Sequence, residues 1–124
     1  MSTLTGIHTI ISEAFNNSVV DLFGGGSTAS VIGFTNWGGN NQKWNLVPQT
    51  ESDTYYIQSA LTKTYVSVDT SNKLVGSTTP KLWKIVQYQA GYRISSDNKF
   101  WTLDDGKPRT QASLSYLPIL KVES

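Results

Sequence analysis

Three pairs of signatures recur along the chain. Gly6-Ile7-His8-Thr9-Ile10, Asp53-Thr54-Tyr55-Tyr56-Ile57 and Ala90-Gly91-Tyr92-Arg93-Ile94 each open a block, while Trp44-Asn45-Leu46-Val47, Trp83-Lys84-Ile85-Val86 and Leu120-Lys121-Val122-Glu123 each close one. The blocks, at 6–49, 53–88 and 91–123, fill the sequence. A repeat of roughly 40 residues is one supersecondary unit that cannot bury its apolar face alone, so the copies must share a core.

Within each block, short runs rich in Val, Ile, Thr and Tyr alternate with clusters of Gly, Ser, Asn, Asp and Pro. No apolar stripe of helical period persists beyond a turn or two, which predicts an all-β chain. Expected strands are Gly6 to Ile11, Val19 to Leu22, Val31 to Phe34 and Trp44 to Pro48 in the first block. The second block carries Tyr55 to Ser59, Tyr65 to Val68, Lys73 to Val75 and Leu82 to Tyr88. The third carries Tyr92 to Ser95, Trp101 to Leu103, a short one at Arg109 to Thr110, and Ile119 to Val122. Asn16-Asn17, Gly24-Gly25-Gly26, Gly38-Gly39-Asn40, Ser71-Asn72, Ser96-Asp97-Asn98 and Asp105-Gly106 suit tight turns that need positive φ. Twelve short strands in three equivalent sets predict a closed barrel capped by hairpins, because closure removes exposed edges. That architecture is a single β-trefoil domain spanning 1–124.

Composition narrows the chemistry. With 124 residues the chain can bury a core without staples. It has no cysteine and one histidine, His8, so neither a thiolate metal site nor a His-rich one is expected, and no cofactor is called for. Ten Lys plus Arg against nine Asp plus Glu give a net charge of +1 with scattered signs. A nucleic-acid partner would require a basic stripe to displace counterions, and none is present. Met1-Ser2-Thr3-Leu4-Thr5-Gly6 has neither a basic start nor an apolar stretch, which predicts no signal peptide, no membrane insertion and a cytoplasmic location. Asn16-Asn17-Ser18 fits a glycosylation acceptor but reads as a polar turn in a chain without an export signal. No serine lies in a Gly-x-Ser-x-Gly context, and Asp104-Asp105-Gly106 reads as a hairpin turn rather than a catalytic carboxylate pair, so no catalytic residue is nominated.

Aligned on their landmarks, the blocks differ in one informative way. Val20-Asp21-Leu22 corresponds to Val66-Ser67-Val68 and Trp101-Thr102-Leu103, and Gln42 corresponds to Lys81 and Pro118. Apolar positions persist in every copy; the polar set of Asp21, Asn41 and Gln42 stands in the first alone. Trp44, Trp83 and Trp101 are core candidates, and Tyr55, Tyr56, Tyr65, Tyr88 and Tyr92 are strand residues. Trp37, set between Asn36 and Gly38-Gly39, either folds back on the core or faces a ligand.

Val20-Asp21-Leu22, Gly24-Gly25-Gly26, Val31-Ile32-Gly33-Phe34, Trp37 and Asn41-Gln42-Lys43-Trp44 resemble the α-type repeat of ricin-B-like β-trefoil lectins, whose hallmark is Gln-x-Trp. The Gly-rich hairpin and the Val-Ile-Gly-aromatic strand are most similar to the small mushroom members of that group. The resemblance implies a non-catalytic lectin for galactose or N-acetylgalactosamine on glycoproteins or glycolipids, with a defensive role against animals that feed on the fruiting body. It places Asp21, Gly24, Trp37, Asn40 and Asn41 at the sugar, with Gln42 bracing Asp21 and the hairpin.

Elementary chemistry agrees with those residue types. A galactose-type sugar has a rim of adjacent hydroxyls and an apolar C–H face, so its receptor needs a carboxylate, an amide and an aromatic wall. One such site binds a monosaccharide weakly, so avidity through a homodimer is expected. A second reading is a mushroom-type β-trefoil protease inhibitor, with Lys107-Pro108-Arg109 or Leu117-Pro118 as the inserted loop. A third is an actin-bundling trefoil of the fascin type, which the single domain disfavours.

Overall fold

A computed structural model describes residues 4–116. Among them lie twelve strands: β1 Gly6–His8, β2 Ser18–Leu22, β3 Val31–Thr35, β4 Trp44–Pro48, β5 Thr54–Ser59, β6 Tyr65–Val68, β7 Leu74–Ser77, β8 Trp83–Tyr88, β9 Gly91–Ser96, β10 Lys99–Thr102, β11 Thr110–Gln111 and β12 Ser113–Ser115. The fold is the β-trefoil. Antiparallel pairing runs β1-β4-β5-β8-β9-β10-β12, with β6 and β7 branching from β5 and a separate sheet β11-β3-β2.

Three hairpins, β2–β3, β6–β7 and β10–β12, obey one register. Val20 faces Gly33, Val66 faces Gly76, and Trp101 faces Leu114. The hairpins are joined in a ring by one contact used three times: Ser30 bridges Val75, Lys73 bridges Ser113, and Gln111 pairs with Ile32. Beneath this ring sit the equivalent residues Val31, Leu74 and Ala112, all buried. Leu22, Trp44, Leu46, Tyr55, Ile57, Val66, Trp83, Ile85 and Leu114 complete the shared core.

The core tryptophans are fixed by polarity as well as size. Trp44 Nε1 donates to Val20 O at 3.0 Å, and Trp83 Nε1 repeats the bond to Val66 O at 2.8 Å. The matching position in the third repeat is Leu120, outside the described residues. There the indole has moved to Trp101 on the second strand, packed edge-on to Trp83 with centroids 5.4 Å apart. Its Nε1 is buried without a hydrogen-bond partner among the described residues.

Several strand expectations need correction. The first strand ends at His8 rather than Ile11, because the chain changes partner there. Beyond Thr9, Ile10 O accepts from Val20 N and Ser12 N donates to Ser18 O, so this segment joins β2 and leaves β4. The strand expected at Arg109 to Thr110 lies at Thr110–Gln111, and β12 was not foreseen. The break between them falls at Ala112, whose N–H bonds Val31 O and whose C=O accepts from Leu74 N across the ring. The strand expected at Ile119 to Val122 lies outside the described residues. Positive φ occurs at Gly24, Gly25, Gly38, Asn72, Asp97 and Asn98, but not at Asn16, Asn17, Asp105 or Gly106. In the last of these connections the Asp105 carboxylate closes the bend by accepting from Lys107 N, and the left-handed residue is Arg109. Tyr55 is buried, whereas Tyr88 and Tyr92 lie exposed on their strands.

Replacing Trp83 by Ala removes one of the largest fully buried side chains. The expected loss is about 3–5 kcal/mol of unfolding free energy. Urea denaturation of Trp83→Ala measures it.

Candidate functional site

Alternation along β2 turns Leu22 into the core and Asp21 to the opposite side, where it meets the turn that follows β3. Asp21 is only 3% exposed. After Leu22 the chain winds one 3-10 turn, Phe23–Gly25, with Gly24 at φ +63°. No atom lies within 4 Å of the place a Cβ would occupy there, so the space above Gly24 is open. The chain returns along β3 to Asn36, Trp37, Gly38 and Gly39, then makes a second 3-10 turn, Asn40–Gln42. This turn delivers two amides to one carboxylate.

Asn41 Nδ2 donates to Asp21 Oδ1 at 3.1 Å, and Gln42 Nε2 donates to Asp21 Oδ2 at 2.8 Å. The second N–H of each amide is also engaged, Asn41 with Leu22 O and Gln42 with Thr35 O. Gln42 Oε1 accepts from Trp37 N at 3.0 Å and Gly38 N at 3.2 Å, so Gln42 ties the tryptophan loop to the carboxylate and has no capacity left for a ligand. Asn41 keeps Oδ1 as an acceptor. A carboxylate offers about four acceptor positions; the amides fill two of them.

Burial holds the Asp21 carboxyl above the ordinary value of 3.8, and the hydrogen bonds from Gln42 and Asn41 pull the other way without cancelling it. In its ionised form it is a desolvated anion with acceptor positions that the two amides leave unfilled. Such a group gains most from hydroxyl donors.

Trp37 is 64% exposed, which settles the alternative of a core indole. Its six-membered ring lies across Gly39, where any side chain would collide with it. Asn40 is exposed and opens the second 3-10 turn, its carbonyl accepting from Lys43 N at 3.2 Å. Asp21, Gly24, Trp37, Asn40, Asn41 and Gln42 therefore converge on the two 3-10 turns and the loop between β3 and β4. Leu61, from the turn between β5 and β6, reaches the same region and was not anticipated. Its signal lies in the second repeat, where nothing in the sequence points at Asp21.

The constellation occurs once among the described residues. Ser67 and Thr102 stand at the Asp21 position, and Lys81, at the Gln42 position, places Nζ 5.2 Å from the Trp83 ring instead of near a carboxylate. No group of acidic and imidazole side chains able to hold a metal exists among the described residues. The Lys107-Pro108-Arg109 loop is folded: Lys107 O accepts from Thr110 Oγ1 at 2.8 Å, Arg109 has φ +72°, and its guanidinium lies 5.7 Å from the Phe23 ring. Leu117-Pro118 lies outside the described residues.

The ricin-type β-trefoil lectin domain-like family matches residues 40–114, a stretch that takes in Asn41-Gln42-Lys43-Trp44. The chain belongs to this family. Among solved ricin-type and related folds, it is similar to the Rhizoctonia solani agglutinin, with 25% identity, 92% of this chain and 87% of that chain covered, and a TM-score of 0.83. The Macrolepiota procera ricin B-like lectin, solved in complex with lactose, has 23% identity over 94% of this chain and 91% of its own, with a TM-score of 0.80. The Polyporus squamosus lectin, bound to Neu5Acα2-6Galβ1-4GlcNAc, has 21% identity over 98% of this chain and 46% of its own, with a TM-score of 0.76. No curated protein sequence matches the chain.

Replacing Gln42 by Ala strands buried partners on Asp21 and Thr35 and frees the Trp37-Gly38 backbone. The expected cost is about 2–3 kcal/mol. Urea denaturation measures the cost, and acrylamide quenching of tryptophan fluorescence reports the loosened loop.

Proposed function

We propose that this member of the ricin-type family is a non-catalytic lectin whose first repeat binds terminal galactose or N-acetylgalactosamine on glycans. The observation that carries the reading is the buried Asp21 carboxylate, held by two amides yet left with open acceptor positions beside an exposed indole. In the proposed pose Asp21 accepts protons from two neighbouring hydroxyls, and Asn41 Oδ1 accepts a third. Gly24 leaves room for the ring, and Trp37 stacks on its C–H face. Asn40 lines the mouth, and Gln42 acts through Asp21 and the Trp37 loop rather than on the sugar. The Macrolepiota lectin was solved with lactose and the Polyporus lectin with a sialylated glycan; both of those ligands contain galactose.

A single site of this size holds a monosaccharide with a dissociation constant on the order of millimolar. Useful retention on a glycan-bearing surface then comes from a homodimer that presents two sites. The Lys107–Arg109 segment is closed on itself by the bond from Thr110 Oγ1 to Lys107 O, and it gives no specific support to the inhibitor reading.

Asp21→Ser installs the residue that the second repeat carries at this position. Galactose binding, read by calorimetry and on a glycan array, is expected to weaken by about 10–100-fold, with the thermal midpoint shifted by only a few degrees. Undiminished binding by a folded Asp21→Ser protein would sink the proposal.

Acidity provides a separate test. The sugar needs the ionised carboxylate, and the folded protein holds the Asp21 proton to above 3.8. Affinity is therefore expected to fall as the pH drops through that raised value, earlier on acidification than an unperturbed aspartate would dictate. Calorimetric titrations across the acid range follow the decline; a flat profile down to 3.8 contradicts the assigned role.

A further inference from the structure

A second exposed apolar side chain stands against the first 3-10 turn. Leu61 stands on the turn between β5 and β6 and is 47% exposed, while its Cδ2 comes within 2.9 Å of where a Cβ on Gly25 would be. A side chain at Gly25 would push it away. The backbone beneath Leu61 is locked: Ser59 Oγ accepts from Leu61 N at 3.1 Å and from Thr62 N at 3.2 Å. The turn is also clamped to both arms of the Asp21 pocket. Ala60 N donates to Lys43 O at 3.0 Å, directly after the second 3-10 turn, and Thr64 Oγ1 donates to Ser27 O at 2.7 Å, just beyond the first.

The two 3-10 turns that present Asp21 and Asn41 thus each have an apolar side chain against them, Leu61 at Gly25 of the first and Trp37 at Gly39 before the second, with open space above Gly24. One pyranose stacked on Trp37 with its hydroxyls on Asp21 uses a single wall. Leu61 is left for an apolar surface further along the ligand, and the C–H face of a linked sugar ring supplies one. Because the turn is already rigid, little ordering entropy opposes such a contact.

We propose that Leu61, contributed by the second repeat, forms the wall of a second subsite that receives the sugar adjoining the terminal galactose, so that the protein prefers a disaccharide to a monosaccharide. The inference rests on the galactose-binding reading of Asp21. Calorimetry with methyl β-galactoside and with lactose, on the unaltered protein, Leu61→Ser, Leu61→Asn and Asp21→Ser, tests both levels. The unaltered protein is expected to bind lactose about fivefold more tightly than methyl β-galactoside, as partial burial of one leucine side chain allows. Both Leu61 variants keep methyl β-galactoside affinity within about twofold and lose the lactose preference. No lactose preference in the unaltered protein, or an undiminished one in Leu61→Ser and Leu61→Asn, overturns the second subsite and leaves the first standing. Full methyl β-galactoside binding by Asp21→Ser overturns both.

Discussion

The ring of backbone contacts that joins Ser30 to Val75, Lys73 to Ser113 and Gln111 to Ile32 is the constraint from which the rest follows. No single hairpin can bury its own apolar face. Coupling three of them through one repeated contact brings Val31, Leu74 and Ala112 together and encloses the tryptophans below. Identical backbone geometry then demands similar side chains at equivalent positions, which is why Trp44 and Trp83 make the same hydrogen bond to Val20 and Val66. A residue present in one repeat alone is, by the same reasoning, not required by the architecture.

Asp21 is such a residue, and it carries an energetic cost that Ser67 and Thr102 avoid. Desolvation raises its proton affinity even though two amides donate to it. A fold selected for stability alone has no use for a partly satisfied buried anion. Its surroundings limit the penalty without removing it: Asn41 and Gln42 spend every N–H on internal acceptors, yet the carboxylate retains open positions. The same Gln42 that donates to the carboxylate also accepts from Trp37 N, so the cost of the buried anion and the position of the exposed indole are coupled through one side chain.

Much of this was legible in the residue pattern. Repetition exposed the threefold plan, and unequal repetition singled out Asp21 with Gln42, whose hydrogen bond joins positions 21 residues apart. Elements that depend on a change of partner escaped. Local propensity gave no reason for β1 to stop at His8, where the chain passes from β4 to β2, nor for a strand to be cut at Ala112 by the central ring. Ser113–Ser115 offers one apolar residue between two serines, too little periodicity to mark a strand without its partner β10. Leu61 was invisible for a related reason: its importance comes from a contact with Gly25 across a repeat boundary.

That boundary also bears on why the pocket belongs to the first repeat. Its outer wall is supplied by the turn between the first two strands of the next repeat, where residues 60–64 connect β5 to β6. Five residues suffice to carry Leu61 out over the neighbouring hairpin while Ser59 and Thr64 anchor the ends. In the third repeat the corresponding connection, from β9 to β10, consists of Asp97 and Asn98, both left-handed. A two-residue hairpin of that type turns back at once and carries no side chain outward over the preceding repeat. Even an aspartate in place of Ser67 would therefore face a pocket with one wall missing. Turn length thus removes the wall at the junction of the second and third repeats, whereas the long connection from β1 to β2 sets Phe15 over Gly106 of the third repeat; there the polar set alone makes the difference.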